Sequence, residues 1–396
     1  MGKKSIPKVA LLVETSRGYG RGLLRGIVRY SRLHGPWAFY VTPGDFVQAL
    51  PRMQQWGGTG IIARIATPEV AKAILACRLP TIALDLPEDQ LRAPNPLAKL
   101  SEISSDSYHA AQMAAEHLLE RKFPHYAFVG IPEQVWSDRR EDSFCRRIVA
   151  AGFQPHIYRP PRRKRDQAWV RQQTLLAQWL QELPKPVGLM ACNDDRGREV
   201  LEACRLAQLH VPEQIAVVGM DNDELLCELS DPPLSSVALN AEQGGYRAAA
   251  LLDRMMRGRK VKPQRLVVEP LYVITRRSTD IVALEDAEVG MAIQFIHNHA
   301  AGPMSIADVV KHVQLSRRAL EMRFRKAIDR TIHAEILRVR LERARRMLLE
   351  SELSIPKVAF AAGFSTASYF VQVFRQNVGT TPARYRATMR SKDPVI

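Results

Sequence analysis

Over roughly the first 275 residues the hydrophobic pattern switches between two periods. Short apolar runs recur at 9–13, 60–63, 80–85, 126–130, 187–191 and 215–219. Runs of that length, bounded by turn residues, predict buried strands. Between them apolar positions fall at helical spacing over 22–33, 138–151, 195–206 and 242–256, and from a cap at Asp106 through Ala111, Met113 and Leu118. Strands alternating with such helices predict βαβ units on parallel sheets. The pattern restarts near Tyr126, which predicts two α/β lobes rather than one. Segments 266–269 and 271–274 read as the last strands.

Around 276–286 the alternation stops and only helical periodicity remains. This sets an expected boundary between a domain at 1–282 and one at 283–396. In the second, Ser305-Ile-Ala-Asp308 has the form of a capping box with Asp in place of Glu. Ala307, Val310 and Val313 line the short helix that follows. Gln314-Leu-Ser316 is a turn, and Ser316 caps a helix with Leu320 and Phe324 as an i, i+4 apolar pair. Two short helices on a three-residue turn form a helix-turn-helix. A helix over 337–349 leads to a second such unit, Ser354-Ile-Pro-Lys-Val-Ala-Phe-Ala-Ala-Gly363, then a cap at Ser365 or Thr366 and the pair Phe370 and Phe374. That pair repeats Leu320 and Phe324 at an offset of 50 residues. The exposed sides offer Arg317, Arg318, Glu321, Met322 and Arg325 in the first unit. They offer Thr366, Ser368, Gln372 and Arg375 in the second. A solvated helix face with i, i+4 charge pairs is the alternative for one unit; two units favour readers of successive major grooves, roughly 34 Å apart.

Charge agrees with that. The chain has 396 residues and a net charge of +16. Residues 286–396 hold 18 Lys/Arg against 10 Asp/Glu, and 1–285 hold 39 against 31, so net positive charge is about two and a half times denser in the C-terminal part. Double-stranded DNA is the expected partner. Five cysteines, Cys77, Cys145, Cys192, Cys204 and Cys227, include no CxxC, which argues against a disulfide framework or zinc site. The apolar run at 9–13 is too short for a signal-peptide core and no apolar span crosses a membrane, so a cytoplasmic location is expected.

Two lobes imply a cleft at the carboxyl ends of their strands, where small polar ligands bind. A sugar needs an aromatic platform and charged or amide groups for its hydroxyls. Tyr19, Trp136, Arg140, Asn193, Asp194, Asp221 and Asn222 all follow strands. Each has a plainer reading: Asn193 or Asp194 as a helix cap, Tyr19 and Trp136 as packing aromatics, Arg140 paired with Asp138 or Glu141 on the surface.

The stretch from Ser354 to Arg375, ending in Thr381-Pro-Ala-Arg-Tyr385, resembles the signature of the AraC/XylS family of regulators over about residues 287–390. The resemblance implies base contacts at Arg318, Glu321, Met322, Ser368, Val371 and Gln372, with Met322 and Val371 making apolar ones. Residues 8–240 resemble the effector domain of LacI-type repressors and periplasmic sugar-binding proteins. The resemblance is tightest in Val211-Pro-Glu-Gln-Ile-Ala-Val-Val-Gly-Met-Asp221 and in Ala191-Cys-Asn-Asp194, where Arg140 and Asp221 stand at that family's ligand positions. LacI-type regulators carry their DNA-binding unit ahead of the first strand; here that strand begins by residue 9. A LacI-like effector domain followed by an AraC-type reader resembles the family of xylose-operon activators and implies D-xylose as effector, a homodimer, and RNA polymerase as a partner. The alternative is a regulator of the same architecture that answers to another sugar or represses.

The fold class expected is therefore a two-lobed, periplasmic-binding-protein-like α/β effector domain plus an all-α domain with two helix-turn-helix units. No GxSxG, P-loop, HExxH or Gly-rich dinucleotide motif occurs, so an enzyme is not expected, and neither is a cofactor. His297, His299, His312 and His333 lack ligands at metal spacing and read as surface or packing residues. A sugar-binding protein for transport is opposed by the helix-turn-helix units.

Overall fold

The computed structural model describes residues 6–41, 50, 52–160, 169–281 and 286–390. The expected boundary at 282/283 lies outside them, as do residues 161–165 of the basic segment Arg159-Pro-Pro-Arg-Arg-Lys-Arg165, which reads from sequence as a solvated surface loop. Lobe 1 holds β1 (Lys8–Leu12), α1 (Gly18–His34), β2 (Ala38–Val41), α2 (Met53–Trp56), β3 (Gly60–Arg64), α3 (Pro68–Cys77), β4 (Thr81–Leu84) and β5 (Ser101–Ser105). Lobe 2 follows with α4 (Ser107–Leu119), β6 (His125–Val129), α5 (Val135–Ala150), β7 (Pro155–Ile157), α6 (Trp169–Glu182), β8 (Val187–Ala191), α7 (Asp194–Leu206), β9 (Ile215–Asp221), α8 (Glu224–Leu229) and β10 (Ser235–Leu239). The chain then returns to lobe 1 for α9 (Ala241–Met256) and β11 (Arg265–Val268), and to lobe 2 for β12 (Pro270–Ile274).

Each lobe is built on a six-stranded sheet, with order β11-β5-β4-β3-β1-β2 in lobe 1 and β12-β10-β9-β8-β6-β7 in lobe 2. All pairings are parallel except β10 with β12. The sheets are covered on both faces, which is why their central strands read as unbroken apolar runs. In lobe 2, Ala127, Leu189 and Val217 face a core completed by α6 and α7, while Phe128, Met190 and Val218 face one completed by α4 and α5.

The strands that the pattern does not predict are those with little apolar content. β5 is Ser-Glu-Ile-Ser-Ser and is held by pairing with β4 and β11. Its buried Glu102 accepts from the Leu86 amide at 2.8 Å and pairs with Arg265 at 2.6 Å. β2 and β7 are short edge strands. Helix α1 begins at Gly18, four residues before the expected start.

The C-terminal part is helical throughout its described length: α10 (Ala287–His299), α11 (Ile306–Val313), α12 (Arg317–Ile328), α13 (Ile332–Glu350), α14 (Ile355–Ala361), α15 (Ala367–Val378) and α16 (Pro382–Arg390). The capping box at Ser305 and Asp308 forms in both directions. Ser316 accepts from the Ala319 amide, and Thr366 rather than Ser365 caps α15. Helix α13 is longer than expected and belongs to two cores. Its Ile332, Ile336 and Val339 join Leu320 and Phe324, whereas its Leu341, Ala344 and Leu348 join Phe370 and Phe374. The two units are fixed to one another at Gly363. Its φ is +96°, and a side chain there would place Cβ 2.0 Å from the Ala300 carbonyl oxygen, which also accepts from Arg340 Nε at 3.1 Å.

Candidate functional site

Strand ends converge on a narrow cleft between the lobes. Lobe 1 contributes Glu14 after β1, Arg17 and Tyr19 at the start of α1, Arg64 at the end of β3, Asp85 after β4 and Ser105 at the end of β5. Lobe 2 contributes Trp136 and Arg140 from the start of α5, Asn193 after β8 and Asp221 at the end of β9.

Five of the seven candidate ligand residues, Tyr19, Trp136, Arg140, Asn193 and Asp221, line this space; Asp194 and Asn222 do not. The Asp194 carboxylate points under the cleft floor, accepting from the Asp223 amide at 2.6 Å and from Ser236 Oγ at 2.6 Å. Asp194 thus holds Asp223 in the loop that follows Asp221 at the end of β9. Asn222 lies beside the cleft; its amide donates to Ser236 Oγ and its side chain accepts from Arg276. Asn193 satisfies both of its readings. Its Oδ1 accepts from the Arg196 amide at 2.9 Å as a helix cap, and the residue also walls the cleft.

Arg140 is buried at 3% exposure, not on the surface. Its guanidinium donates to the Cys192 carbonyl at 2.6 Å and to Asp221 at 3.2 Å, and reaches Ser105 Oγ across the cleft at 3.5 Å. It lies 4.9 Å from the Trp136 ring centroid, a cation–π distance. In lobe 1, Arg64 pairs with Asp85 at 2.9 Å and with Glu14. The cleft is thus walled by opposed ion pairs, one per lobe. Burial raises the Asp221 carboxyl to about 6, the Arg140 charge opposing the rise. Burial, then the Asp85 charge, raises the Tyr19 hydroxyl well above the usual tyrosine value. Burial works to lower the Arg64 pKa, but Asp85 and Glu14 more than offset it and hold the guanidinium charged. Besides Arg64 Nε, which is ion-paired with Glu14, two buried polar atoms in this wall, Tyr19 Oη and Arg140 Nε, have no hydrogen-bond partner among the described residues. Such orphans cost about 1–3 kcal/mol each unless a ligand or water satisfies them. The backbone at both walls is also unusual: Asp85, Asp221 and Asn222 have φ of +46°, +98° and +47°. Non-glycine residues in that region are costly and gather at ligand sites.

Sequence reasoning does not single out Glu14, Arg17, Arg64, Asp85 or Ser105. The signal that finds Asp221, a polar residue closing an apolar strand, is present at Glu14, Arg64 and Asp85 as well.

At the other end of the chain the candidate reading faces are open. Arg318, Met322 and Arg325 on α12 are exposed, Met322 at 68%. Arg317 and Glu321 are exposed too but pair with each other at 2.9 Å, the i, i+4 pair of the alternative reading. On α15, Thr366, Ser368, Gln372 and Arg375 are exposed. Val371 is half-buried against the second core, one helical step from Phe370, and keeps part of its surface open. Tyr369 and Gln376 are exposed on the same helix and were not singled out. The histidines divide. His333 is exposed, and His299 and His312 stack on the Phe295 ring at 4.2 and 4.4 Å. His297, instead of lying at the surface, is enclosed between Asp280 and Glu335.

Comparison with known proteins matches this geometry part by part. Residues 8–90 match the XylR N-terminal domain, 115–279 the periplasmic binding protein-like domain and 309–388 a helix-turn-helix domain. The chain is 33% identical over 383 residues to the xylose operon regulatory protein of Escherichia coli K12, covering 96% of both chains. It is 30% identical to the protein of that name from Haemophilus influenzae, covering 96% of this chain and 98% of the other. The solved structure of the xylose-binding transcription activator XylR is 32% identical, with a TM-score of 0.60 over 97% of this chain and 99% of that one. The lac repressor dimer, at 18% identity and a TM-score of 0.54 over 70% of this chain, shares the fold of the effector part. With the two-lobed cleft, the paired helix-turn-helix units and near-full-length similarity all in agreement, the chain belongs to the family of xylose operon regulatory proteins.

Proposed function

We propose that the chain is a D-xylose-dependent transcription activator: an effector domain over 1–282 binds the sugar in the interlobe cleft, and a domain over 283–396 reads promoter DNA. The observation that carries the sugar site is the pair of buried, unpartnered polar atoms, Tyr19 Oη and Arg140 Nε, in one cleft walled by ion pairs. A sugar hydroxyl both donates and accepts, so neighbouring carboxylates and guanidiniums suit it. Asp221, Asp85 and Glu14 accept; Arg140 and Arg64 donate; Asn193 does either. Trp136 or Tyr19 offers the face for the sugar's C–H groups.

The reader is bipartite. Arg318 and Arg325 on α12 suit guanine edges and phosphates, Gln372 on α15 suits adenine, and Met322 suits a thymine methyl. The 19-residue helix α13, about 28 Å long, spaces the two units. The active species is a homodimer that recruits RNA polymerase. Sugar binding is tested by calorimetric titration with a panel of pentoses and hexoses. Gating is tested by footprinting on a xylose-catabolism promoter with and without D-xylose. Tight binding of D-xylose with increased operator occupancy is expected. Equal occupancy and equal transcription across all sugars would sink the reading.

A further inference from the structure

The polar contacts identified between the reader and the rest of the chain all fall on lobe 2. In the first half of α13, about two turns from its start, Arg338 donates to Glu120, just past the C-terminal end of α4, at 3.3 Å, and to its own neighbour Glu335 at 2.6 Å. At the far end of α13, Glu350 accepts from Tyr272 on β12 at 2.6 Å. The helix that joins the two reading units is therefore strapped to lobe 2 near its middle and at its C-terminal end. His297 on α10 adds a third strap, with Nδ1 3.2 Å from Asp280 and Nε2 3.5 Å from the buried Glu335.

The segment leading into the reader is fastened to the same lobe. Ser278 and Thr279 are fully buried. Ser278 Oγ donates to the Val217 carbonyl at 2.6 Å and accepts from the Ser235 amide at 2.8 Å. Arg121 Nε, one residue beyond Glu120, donates to the Thr279 carbonyl at 2.6 Å. A hinge needs backbone free to change φ and ψ; these bonds leave none over 275–280. The polar bridges between the lobes, by contrast, sit at the cleft itself: Arg17 with Asp195 at 3.1 Å, Arg21 with Asp223, and Arg140 with Ser105.

We infer that the reader and lobe 2 move as one rigid body, and that the effector acts on DNA by fixing the angle of lobe 1 to that body. This rests on the reading of the cleft as the sugar site. A ligand that touches both lobes selects one interlobe angle, and its differential affinity for that angle is all the free energy available for switching. Lobe 1 is then the part that moves relative to DNA, although the reader is chemically joined to lobe 2.

The test measures distances between spin labels on the full chain. Labels are attached through Lys72→Cys in lobe 1, Val149→Cys in lobe 2 and Lys357→Cys in the reader, two at a time. Cys77 and Cys145 are replaced by serine, and labelled copies are diluted with unlabelled ones to isolate distances within one chain. The 149–357 distance is expected to be the same with and without D-xylose, while the 72–357 distance shifts. A second arm uses the double variant Glu120→Ala, Tyr272→Phe, which removes the acceptor of one strap and the donor of the other. It is expected to broaden the 149–357 distribution even without sugar. It should keep D-xylose affinity within error and lose the sugar-dependent change in operator affinity. A 149–357 distance that shifts with sugar, or an unbroadened distribution in the double variant, overturns the inference. If D-xylose fails to bind in calorimetry, the sugar reading falls on its own, and the sugar-free comparison of widths still decides whether the reader is docked.

Discussion

The cleft and the reader solve opposite electrostatic problems. In the cleft, the charged side chains Arg140 with Asp221 and Arg64 with Asp85 are buried and paired within the protein. On the reader, Arg318, Arg325 and Arg375 project into solvent without an ion pair among the described residues. Buried charge must be paired because desolvation penalises an isolated ion by several kcal/mol. Exposed charge stays available at little cost, and attracts phosphates over about a Debye length. The difference teaches where specificity resides. The cleft discriminates by leaving few, directed polar atoms open. The reader discriminates only when shape brings its open charges and amides to base edges.

The largest effect expected separates the two regions by folding. Phe374 is fully buried in the second reader core, its ring 5.5 Å from those of both Phe370 and Tyr385. Phe374→Ala should cost about 3–5 kcal/mol of reader stability. Operator binding should vanish while the effector domain still binds sugar. Denaturant unfolding followed at a reporter in each region checks this, and loss of sugar binding as well would mean that the two regions fold as one unit. Next is Arg140→Ala, which removes the donor to Asp221 and Cys192 and the partner of Trp136. Sugar affinity should fall by roughly 3 kcal/mol, more than a hundredfold in Kd, with sugar-free DNA affinity unchanged. An intact calorimetric isotherm for this variant would remove Arg140 from the site.

Within the reader the two units differ in kind. Arg318 offers charge, so Arg318→Ala should weaken binding by about 1–3 kcal/mol and reduce the salt slope by about 1. Gln372 offers an amide, so Gln372→Ala should cost a similar amount with an unchanged salt slope. Titrations over a range of salt concentrations distinguish them. Equal slopes for both variants would contradict the assignment of charge readout to the first unit.

The reader was the more legible region because its determinants are local. The capping box at Ser305, the pair Leu320 and Phe324, and its repeat at Phe370 and Phe374 lie within a few residues of one another, and helical periodicity states which side is buried. The two lobes were legible through their strongest strands, but β5 was hidden because a Glu and three Ser occupy four of its five positions. The cleft was legible only in part. Strand ends locate Arg140 and Asp221, yet the partnership of Arg64 with Glu14 and Asp85 joins three strands far apart in the chain. Asp194 is hard to place from sequence for a related reason. It sits beside Asn193, and only the fold decides that one faces the cleft and the other faces Ser236.

The smallest expected effect concerns protons at the junction of these ideas. Burial raises the folded-state pKa of Asp221 to about 6, above its usual value near 3.8. The folded chain therefore binds this proton more tightly than the unfolded chain does. For this group alone, stability is greatest below about 4 and declines as pH rises toward 6. Sugar binding should have the opposite slope. The ionised carboxylate is the form that pairs with Arg140 and accepts two hydroxyl donors, so affinity should rise with pH up to about 6 and then level off. Below that point the limit is roughly tenfold per pH unit for a single required deprotonation. Asp221→Asn removes the titrating group, so whatever weak binding remains should lose most of this dependence. Calorimetric titration between about pH 5 and 8 reads both chains directly. A flat profile for the wild-type chain would mean that Asp221 binds sugar equally well as acid and as carboxylate, leaving its pairing with Arg140 structural and shifting recognition of the hydroxyls to Glu14 and Asp85.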